Sequence, residues 1–328
     1  MSAQQKDGEE FLCFGEEGFS EWMQQEVEPF LAAHRRDGYL QSKDGTKLYY
    51  ERFEMEGAEK CVVICHGFCE FAEKYNEFIY YFLQQGYTVY LCEHRGHGRS
   101  DRKVADPDLV HVTDYQEYVD DFVYFVNQVV VPKEKRRLLF AHSMGGAVGA
   151  LTLEQSPGLF EAAVLSSPMC GMQTGRFPKW VADVAAWCCC RIGKGAQFAA
   201  GQSGFSDTPD YAGSSCLSEV RYAYIFQKRL DNEQCRTYGG SYAWVHAGMK
   251  ATRHLMKQKN LDKIQIPILV LSADQDHMVD NSAMERFAAR TKGARLIRVR
   301  EAKHEIFHSG FKTRQGYYRD VFAFYESN

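Results

Sequence analysis

The sequence predicts an α/β fold in which a mostly parallel central sheet is flanked by helices on both faces. Short β-rich runs alternate with longer helix-like segments along most of the chain. Several of these runs are continuously apolar, which is typical of strands that helices cover on both sides. The alternation itself implies parallel strands joined by right-handed crossovers, and hence a core of three layers.

Seven runs are strand candidates, and five other segments are helix candidates. The chain of 328 residues is long enough for them to form one elaborated domain or two, since a domain usually has about 100 to 200 residues. The helix candidates lie at about residues 73–85, 115–130, 144–155, 282–291 and 312–325. The strand candidates lie at residues 48–53, 61–65, 88–92, 138–141, 162–167, 268–273 and 294–300.

One interval interrupts the alternation, because residues 168–240 contain aromatic and Gly/Ser-containing segments but no clear strand. Ordinary connections have about 2 to 6 residues, so this interval is predicted to be a mainly helical cap insertion. Residues 37–167 and 241–328 then form the two parts of the α/β core. Residues 1–36 are an N-terminal extension, predicted to pack an amphipathic helix on the core through Phe19, Trp22, Met23, Val27, Phe30 and Leu31.

Composition excludes several classes of function. With 39 basic and 43 acidic residues the net charge is −4, which provides no broad cationic field for a nucleic acid. The 11 cysteines are an odd number and Met1 to Glu10 lack an apolar signal core, which indicates reduced thiols and a cytoplasmic location. Adjacent Cys188, Cys189 and Cys190 lack the paired spacing of a zinc site, so we expect neither a metal nor a cofactor.

A candidate nucleophile lies in the segment RLLFAHSMGGAVGA, where Ser143 stands between an apolar strand and a Gly/Ala-rich helix start. A nucleophile elbow needs small residues two before and two after the serine, and Ala141 and Gly145 meet that need. The segment matches neither of the common glycine-rich phosphate loops. A competing small-x-Ser-x-small run surrounds Ser241, but polar sequence precedes it instead of a strand, and Ser143 is favoured.

A second loop, CVVICHGFCE, ends a strand candidate at His66 and Gly67. The backbone amide just after such a turn can complete an oxyanion hole together with the amide that follows the nucleophile. These amides belong to Phe68 and Met144.

The base and the acid are expected from later strand ends. His304 and His308 follow the last strand candidate, and His304 lies in the loop whereas His308 has entered helix-like sequence. Three aspartates follow the strand at 268–273; Asp280 begins the next helix and is interpreted as its cap. Spacing alone leaves Asp274 and Asp276 open as the acid.

The motifs HGFCEFAEKY, EHRGHGRSDR, AHSMGGAVGA, SADQDHMVDN and AKHEIFH occur in this order. In this respect the chain, from about Gly38 to its C-terminus, resembles the α/β-hydrolase superfamily, and within it the bacterial lysophospholipases related to the monoacylglycerol lipases. The resemblance implies Ser143 as nucleophile, His304 as base and Asp276 as acid, with oxyanion donors at Phe68 and Met144. Two residues depart from the family pattern without removing a catalytic group, namely Ala141 in the elbow and Glu93 before the H-R-G-H-G motif.

The resemblance implies a serine hydrolase that cleaves carboxylic esters of lipids through an acyl-enzyme, most closely a lysophospholipase or a monoacylglycerol lipase. A small-ester esterase or thioesterase is the alternative, and a catalytically silent binding protein is a more remote one. The expected partner is a small lipid or ester substrate, and no oligomeric state is predicted. Candidate acyl-chain contacts in the cap, which can equally form the cap's own small core, are Met169, Met172, Phe177, Trp180 and Trp187.

Membrane contact is expected to be peripheral at most. The longest strongly apolar stretch, Val181 to Cys190, has about half the length that a spanning helix needs. A set of basic residues in the cap can meet a phosphate head group or the anionic inner face of a membrane, although a solvated charged face is the commoner explanation. The set consists of Arg176, Lys179, Arg191 and Lys194.

Overall fold

The computed structural model describes residues 11–130, 136–175 and 177–328. Its strands are β1 (Arg35–Gln41), β2 (Lys47–Phe53), β3 (Lys60–Cys65), β4 (Thr88–Cys92), β5 (Leu109–Val110), β6 (Arg136–His142), β7 (Ala162–Ser166), β8 (Gly239–Gly240), β9 (Ile268–Ala273) and β10 (Ala294–Val299). Its α-helices are α1 (Phe19–Trp22), α2 (Glu28–His34), α3 (Asn76–Gln84), α4 (Gln116–Gln128), α5 (Met144–Gln155), α6 (Lys179–Arg191), α7 (Glu219–Asp231), α8 (Tyr242–Leu255), α9 (Gln258–Leu261), α10 (Asn281–Arg290) and α11 (Phe311–Ser327). Short 3-10 turns lie at Ala72–Tyr75, Glu233–Arg236 and Ile306–His308, and a π-helical turn at Met23–Val27 joins α1 to α2.

Eight strands form the central sheet, in the order β1-β2-β4-β3-β6-β7-β9-β10. The six strands from β4 to β10 in this order pair in parallel, whereas β2 is antiparallel to both of its neighbours. The mostly parallel sheet predicted from the sequence is therefore confirmed. Strands β5 and β8 form a separate parallel pair of two residues each.

The central strands of the sheet are buried on both faces. Along β3, Val63 and Cys65 belong to one apolar cluster, while Val62 and Ile64 belong to the other. Successive side chains of a strand point to opposite faces, so a strand between two cores must be apolar at every position. This explains why the central strands appeared in the sequence as continuous apolar runs.

Helices cover each face and supply the rest of each core. One cluster takes side chains from α4, α5, α8 and α10, for example Tyr118, Val148, Trp244 and Met284. The other takes them from α1, α3 and α11, for example Phe19, Phe78 and Tyr318. The result is the predicted three-layer arrangement.

The N-terminal segment contains a strand that the sequence did not predict. Strand β1 is exposed along most of its length and carries Arg35, Arg36 and Asp37 at its start. It lies at the edge of the sheet, where its register is set by antiparallel pairing with β2. An edge strand with charged residues lacks the apolar pattern of a buried one, which is why it was overlooked. Met1 to Glu10 lie outside the described residues.

Within residues 168–240, the part that the structure describes adds no strand to the central sheet, since β8 pairs with β5. They contain α6, α7 and extended connections, and Arg176 among them lies outside the described residues. Helix α8, which the sequence did not predict, begins after Ser241, whose hydroxyl accepts the backbone N–H of Trp244 at 3.1 Å. This N-cap role accounts for the small-x-Ser-x-small run around Ser241.

Candidate active site

The turn between β6 and α5 presents Ser143 in a strained conformation. Its φ of 54° and ψ of −120° lie outside the regions that L-residues usually adopt. A Cβ atom added at Gly145 would lie 2.1 Å from the carbonyl oxygen of Cys65, and one at Gly146 would lie 2.5 Å from Cβ of Pro168. The tight strand-to-helix turn therefore requires small residues after the serine, as expected for a nucleophile elbow.

The loops after β9 and β10 bring a carboxylate and an imidazole together. Nδ1 of His304 lies 2.7 Å from Oδ2 of Asp276, and both side chains are buried. The other oxygen of Asp276 accepts the backbone N–H groups of Met278 and Val279. Burial opposes ionisation of Asp276, but His304 and these amides outweigh it and hold the pKa of the carboxyl below its usual value.

The other acid and base candidates have different partners. Asp274 accepts the backbone N–H groups of Glu301 and Ala302 at 3.2 and 3.1 Å and so holds the turn before His304. Asp280 caps α10 by accepting from Ser282 and Ala283, as its position in the sequence indicated. His308 contacts Glu305 at 2.8 Å. Of these candidates, the structure brings only Asp276 to His304.

The loop after β3 lies against the nucleophile. A Cβ atom at Gly67 would be 3.0 Å from Cβ of Ser143. The N–H of Gly67 donates to the buried carboxylate of Glu70 at 2.5 Å, and Tyr75 donates to the same oxygen at 2.6 Å. These bonds hold the backbone that carries Phe68, the predicted oxyanion donor.

A buried ionic bridge joins this oxyanion loop to the loop of the base. Nζ of Lys74 lies 2.7 Å from a carboxylate oxygen of Glu70 and 2.7 Å from one of Glu305, the residue after His304. Burial lowers the pKa of Lys74, but the two carboxylates raise it above its usual value on balance. Glu70 shows the converse effect, because Lys74 and His142 overcome burial and lower its pKa to about 2. The bridge is therefore an ion pair at neutral pH.

His142, which precedes Ser143, is a buried histidine with a different role from that of His304. Its ring lies 4.8 Å from that of His304. Burial lowers the pKa of His142 to about 4, with a further contribution from His304, despite the opposing charge of Glu70. His142 is therefore neutral at physiological pH and packs as a polar core residue.

A cavity of about 670 Å³ lies beside the oxyanion loop, between that loop, residues 201–238 and the loop of the base. Its wall combines aromatic rings with hydroxyl, amide and charged groups. The only sequence signal for the aromatic part is the i, i+4 pair of Tyr222 and Phe226 on α7. Cavity residues that the sequence did not single out include Cys69, Lys74, Tyr222, Phe226, Arg229 and Tyr238.

The five predicted acyl-chain contacts do not line this cavity. Met169 and Met172 are buried, and the N–H of Met169 donates to the carbonyl of Ser143 at 2.8 Å. Phe177, Trp180 and Trp187 lie on or beside α6 with exposed fractions of 69%, 70% and 46%. The structure thus separates the two buried methionines, of which Met169 contacts the elbow, from the three aromatic residues, which face outwards.

One Cys/Glu/His cluster within the described ranges has ligand atoms close enough for a metal ion. The ligand atoms of Cys216, Glu305 and His308 lie within 4.8 Å of one another. However, burial raises the pKa of the Cys216 thiol to about 12, and the ammonium of Lys74 already occupies Glu305. A protonated thiol and a paired carboxylate are poor ligands, so this cluster does not fit a resident metal.

The family model described as serine aminopeptidase, S33 matches residues 56–309, which include all of these loops. The chain belongs to this family of α/β-hydrolases. Solved structures with the same fold include a monoglyceride lipase from Saccharomyces cerevisiae, with a TM-score of 0.68 and 17% identity over 88% of this chain and 94% of that one. A carboxyl esterase from Bacillus coagulans has a TM-score of 0.70 and 16% identity over 89% and 98% of the two chains.

Relatives of known function are ester hydrolases. The lysophospholipase L2 of Escherichia coli is 32% identical over 80% of this chain and 79% of its own. The human monoglyceride lipase is 31% identical over 40% of this chain and 42% of its own. The hydrolase described here is a carboxylic ester hydrolase, as the sequence predicted. Among the described residues, no helix has both the length and the apolar character to cross a membrane.

Proposed function

We propose that this hydrolase is a lysophospholipase or monoacylglycerol lipase that acts through Ser143, His304 and Asp276. The observation that carries the proposal is the contact of 2.7 Å between His304 and Asp276 in the loops beside the strained Ser143 elbow. The relative named lysophospholipase L2, which is similar over four-fifths of this chain, supports the choice of lipid ester as substrate.

In the acylation step His304 accepts the proton of Ser143 while the hydroxyl oxygen attacks the ester carbonyl. Because Nδ1 of His304 is committed to Asp276, Nε2 is the nitrogen left to take this proton. Asp276 fixes the tautomer and stabilises the imidazolium that forms. The C–O bond then breaks, and His304 returns the proton to the leaving alcohol. In deacylation, His304 accepts a proton from a water molecule whose oxygen attacks the acyl-enzyme carbonyl. The bond to Ser143 then breaks, His304 returns the proton to the serine oxygen, and the fatty acid is released.

The oxyanion of each tetrahedral intermediate accepts hydrogen bonds from the backbone N–H groups of Phe68 and Met144. The N-terminus of α5 behind Ser143 favours the same negative charge. Each such donor typically lowers the barrier by about 3 kcal/mol. The hydrogen bond from Gly67 to Glu70 supports this proposal because it holds the loop that aims Phe68.

We further propose that the outer face of α6 contacts an anionic membrane surface. This face, formed by Phe177, Trp180, Trp187 and Ile192, presents exposed apolar side chains beside basic residues. The guanidinium of Arg191 lies 5.4 Å from the centre of the Trp187 ring. Interfacial aromatic residues with flanking cations are the composition that binds anionic lipid surfaces. Three of the five residues expected to hold an acyl chain, Phe177, Trp180 and Trp187, would then insert among lipids instead.

A labelling experiment and a substrate series test the triad and the substrate class. A fluorophosphonate probe should modify the wild-type chain at Ser143 and leave Ser143→Ala unlabelled, with Ser241→Ala labelled like the wild type. Rates on lysophosphatidylcholine, a monoacylglycerol of the same chain length and p-nitrophenyl butyrate separate the candidates. Activity confined to the short ester would favour the small-ester alternative and defeat the proposed lipid substrate.

Sedimentation with vesicles tests the membrane face. Vesicles of phosphatidylglycerol and phosphatidylcholine should bind the wild type. Trp180→Ser combined with Trp187→Ser should weaken binding about tenfold or more, because two indole rings that would be buried in the lipid are lost. Tyr39→Ser, which removes an exposed aromatic residue from β1 instead, is the matched control. Equal binding of all three proteins would contradict this assignment.

A further inference from the structure

The cavity beside the oxyanion loop contains two cations with very different surroundings. Lys74 is neutralised by Glu70 and Glu305, each at 2.7 Å. Arg229, on α7, also lines the cavity, but within the described ranges no carboxylate forms an ion pair with it. The two acids of the cavity wall are used elsewhere, because Glu305 pairs with Lys74 and Asp210 accepts the backbone N–H of Gly213 at 2.9 Å.

The guanidinium of Arg229 is nevertheless held in place. Its Nη2 donates to the carbonyl of Cys69 at 2.7 Å and its Nη1 donates to that of Thr237 at 3.3 Å. The rings of Phe71, Phe205 and Tyr238 surround it, with centres 5.5 to 5.9 Å from the central carbon. A guanidinium has five N–H donors, and two carbonyls leave the remaining donors for another acceptor.

The contact with Cys69 places this cation next to the reaction. Cys69 follows Phe68, the proposed oxyanion donor, and both residues line the same cavity. A group that occupies the cavity is therefore attached close to the ester carbonyl. The wall also carries hydroxyl and amide groups, including those of Gln202, Ser203 and Ser214, so it offers hydrogen-bond partners to a polar group beside its aromatic rings.

We infer that Arg229 binds the phosphate of the substrate's head group and so selects lysophospholipids over monoacylglycerols. The inference rests on the proposed function, because it assumes that a lipid ester is cleaved at Ser143. A planar guanidinium with free donors matches phosphate oxygens in geometry and in charge. Held by carbonyls and aromatic rings, Arg229 gains its counter-charge only when the phosphate arrives.

The decisive comparison is between Arg229→Gln and Lys228→Gln. Lys228 precedes Arg229 on α7 and is ion-paired with Glu28 outside the cavity. Lys228→Gln therefore removes one cation from the same helix and serves as the matched control. For Arg229→Gln, the ratio of kcat/KM on lysophosphatidylcholine to kcat/KM on a monoacylglycerol of the same chain length should fall about ten- to a hundredfold, mainly through KM. For Lys228→Gln the ratio should stay within about twofold of the wild type.

A binding measurement keeps this inference separate from the proposed function. Glycerol phosphate should inhibit p-nitrophenyl butyrate hydrolysis competitively in the wild type and in Arg229→Lys, which keeps the charge, and much more weakly in Arg229→Gln. Glycerol, which lacks the phosphate, should inhibit all three proteins equally weakly.

The outcomes are distinct. An unchanged selectivity ratio would overturn the role of Arg229, because the residue would then contribute nothing to the choice of substrate. Loss of both activities in equal proportion would also overturn it, because Arg229 would then only support the loop at Cys69. A wild type that cleaves monoacylglycerol but no lysophospholipid would defeat the lysophospholipase assignment. In that case, glycerol phosphate inhibition that depends on Arg229 would still support the phosphate site, and its absence would overturn it.

Discussion

The strands that carry the candidate triad at their carboxyl ends and the segment at residues 168–240 are packed in contrasting ways. Every residue of β7 and β9 is buried, and β6 is buried from Leu138 onwards. By contrast, α6 buries only Ala186 and α7 only Arg221. Reacting groups must be held within a fraction of an ångström, which dense packing provides, whereas a substrate wall needs only a suitable surface. The proposed chemistry and the proposed substrate wall thus lie in parts of the molecule that are packed to different extents.

The largest expected effect is on catalysis by the candidate triad, at the carboxyl ends of these strands. Asp276→Asn should lower kcat about 10⁴-fold with little change in the melting temperature, because an amide favours the wrong tautomer of His304. Asp274→Asn should lower it less than about tenfold, since Asp274 only holds the backbone at Glu301 and Ala302. Steady-state kinetics on p-nitrophenyl butyrate measure both. If Asp274→Asn were the more damaging change, the acid would be misassigned.

A pair of aromatic truncations compares the stability of the two regions directly. Phe140→Ala, in β6, should lower the free energy of unfolding by about 4 kcal/mol, because this ring is fully buried. Trp180→Ala, on α6, removes a larger side chain but should change it by less than about 0.5 kcal/mol, since the indole is 70% exposed. Urea unfolding provides the measurement. Similar losses in the two variants would show that residues 168–240 are more tightly packed than described here.

Two lysine ion pairs extend the comparison to charges. Lys74→Met should cost about 3 kcal/mol, because it leaves the buried carboxylates of Glu70 and Glu305 without their cation. Lys179→Met, which breaks the half-exposed pair between α6 and Asp280, should cost about 1 kcal/mol or less. The same urea titration, with circular dichroism to check the fold, distinguishes them. A cost at Lys74 as small as that at Lys179 would mean that water reaches the bridge.

The last effect depends on pH and concerns a buried acid that departs from the family pattern. Burial raises the pKa of Glu93 to about 8, only partly offset by Arg99. A carboxyl whose pKa is raised on folding stabilises the protein most below its usual pKa, and that contribution is lost as pH rises towards the folded value. Between pH 5 and 8 the wild type should therefore lose about 3 kcal/mol of stability that Glu93→Gln does not lose. Parallel pH profiles of the two proteins would refute this account.

Parts of the fold could be read from the sequence because the local pattern and the tertiary environment agree. Strand β4 and helix α5 lie at the predicted residues, since a fully buried strand and a glycine-rich elbow leave distinct signatures. Strand β1 and helix α8 were overlooked for the opposite reason. One is a charged edge strand and the other follows a polar segment, so pairing and packing with distant residues decide their structure.

The alternation of strand and helix candidates by itself determined the fold class, and the order of the motifs indicated the hydrolase family. The sequence also determined the candidate nucleophile, because the elbow at Ser143 is a local turn with strict steric needs. Spacing left Asp274 and Asp276 open, and the resemblance favoured Asp276; in the structure only Asp276 lies against His304. The tertiary structure alone placed Lys74 between two loops, turned the aromatic face of α6 outwards and put Arg229 beside the oxyanion loop. The contacts of Lys74 with Glu305 and of Arg229 with Cys69 join residues more than a hundred positions apart. Such long-range packing leaves no periodic signal in the chain.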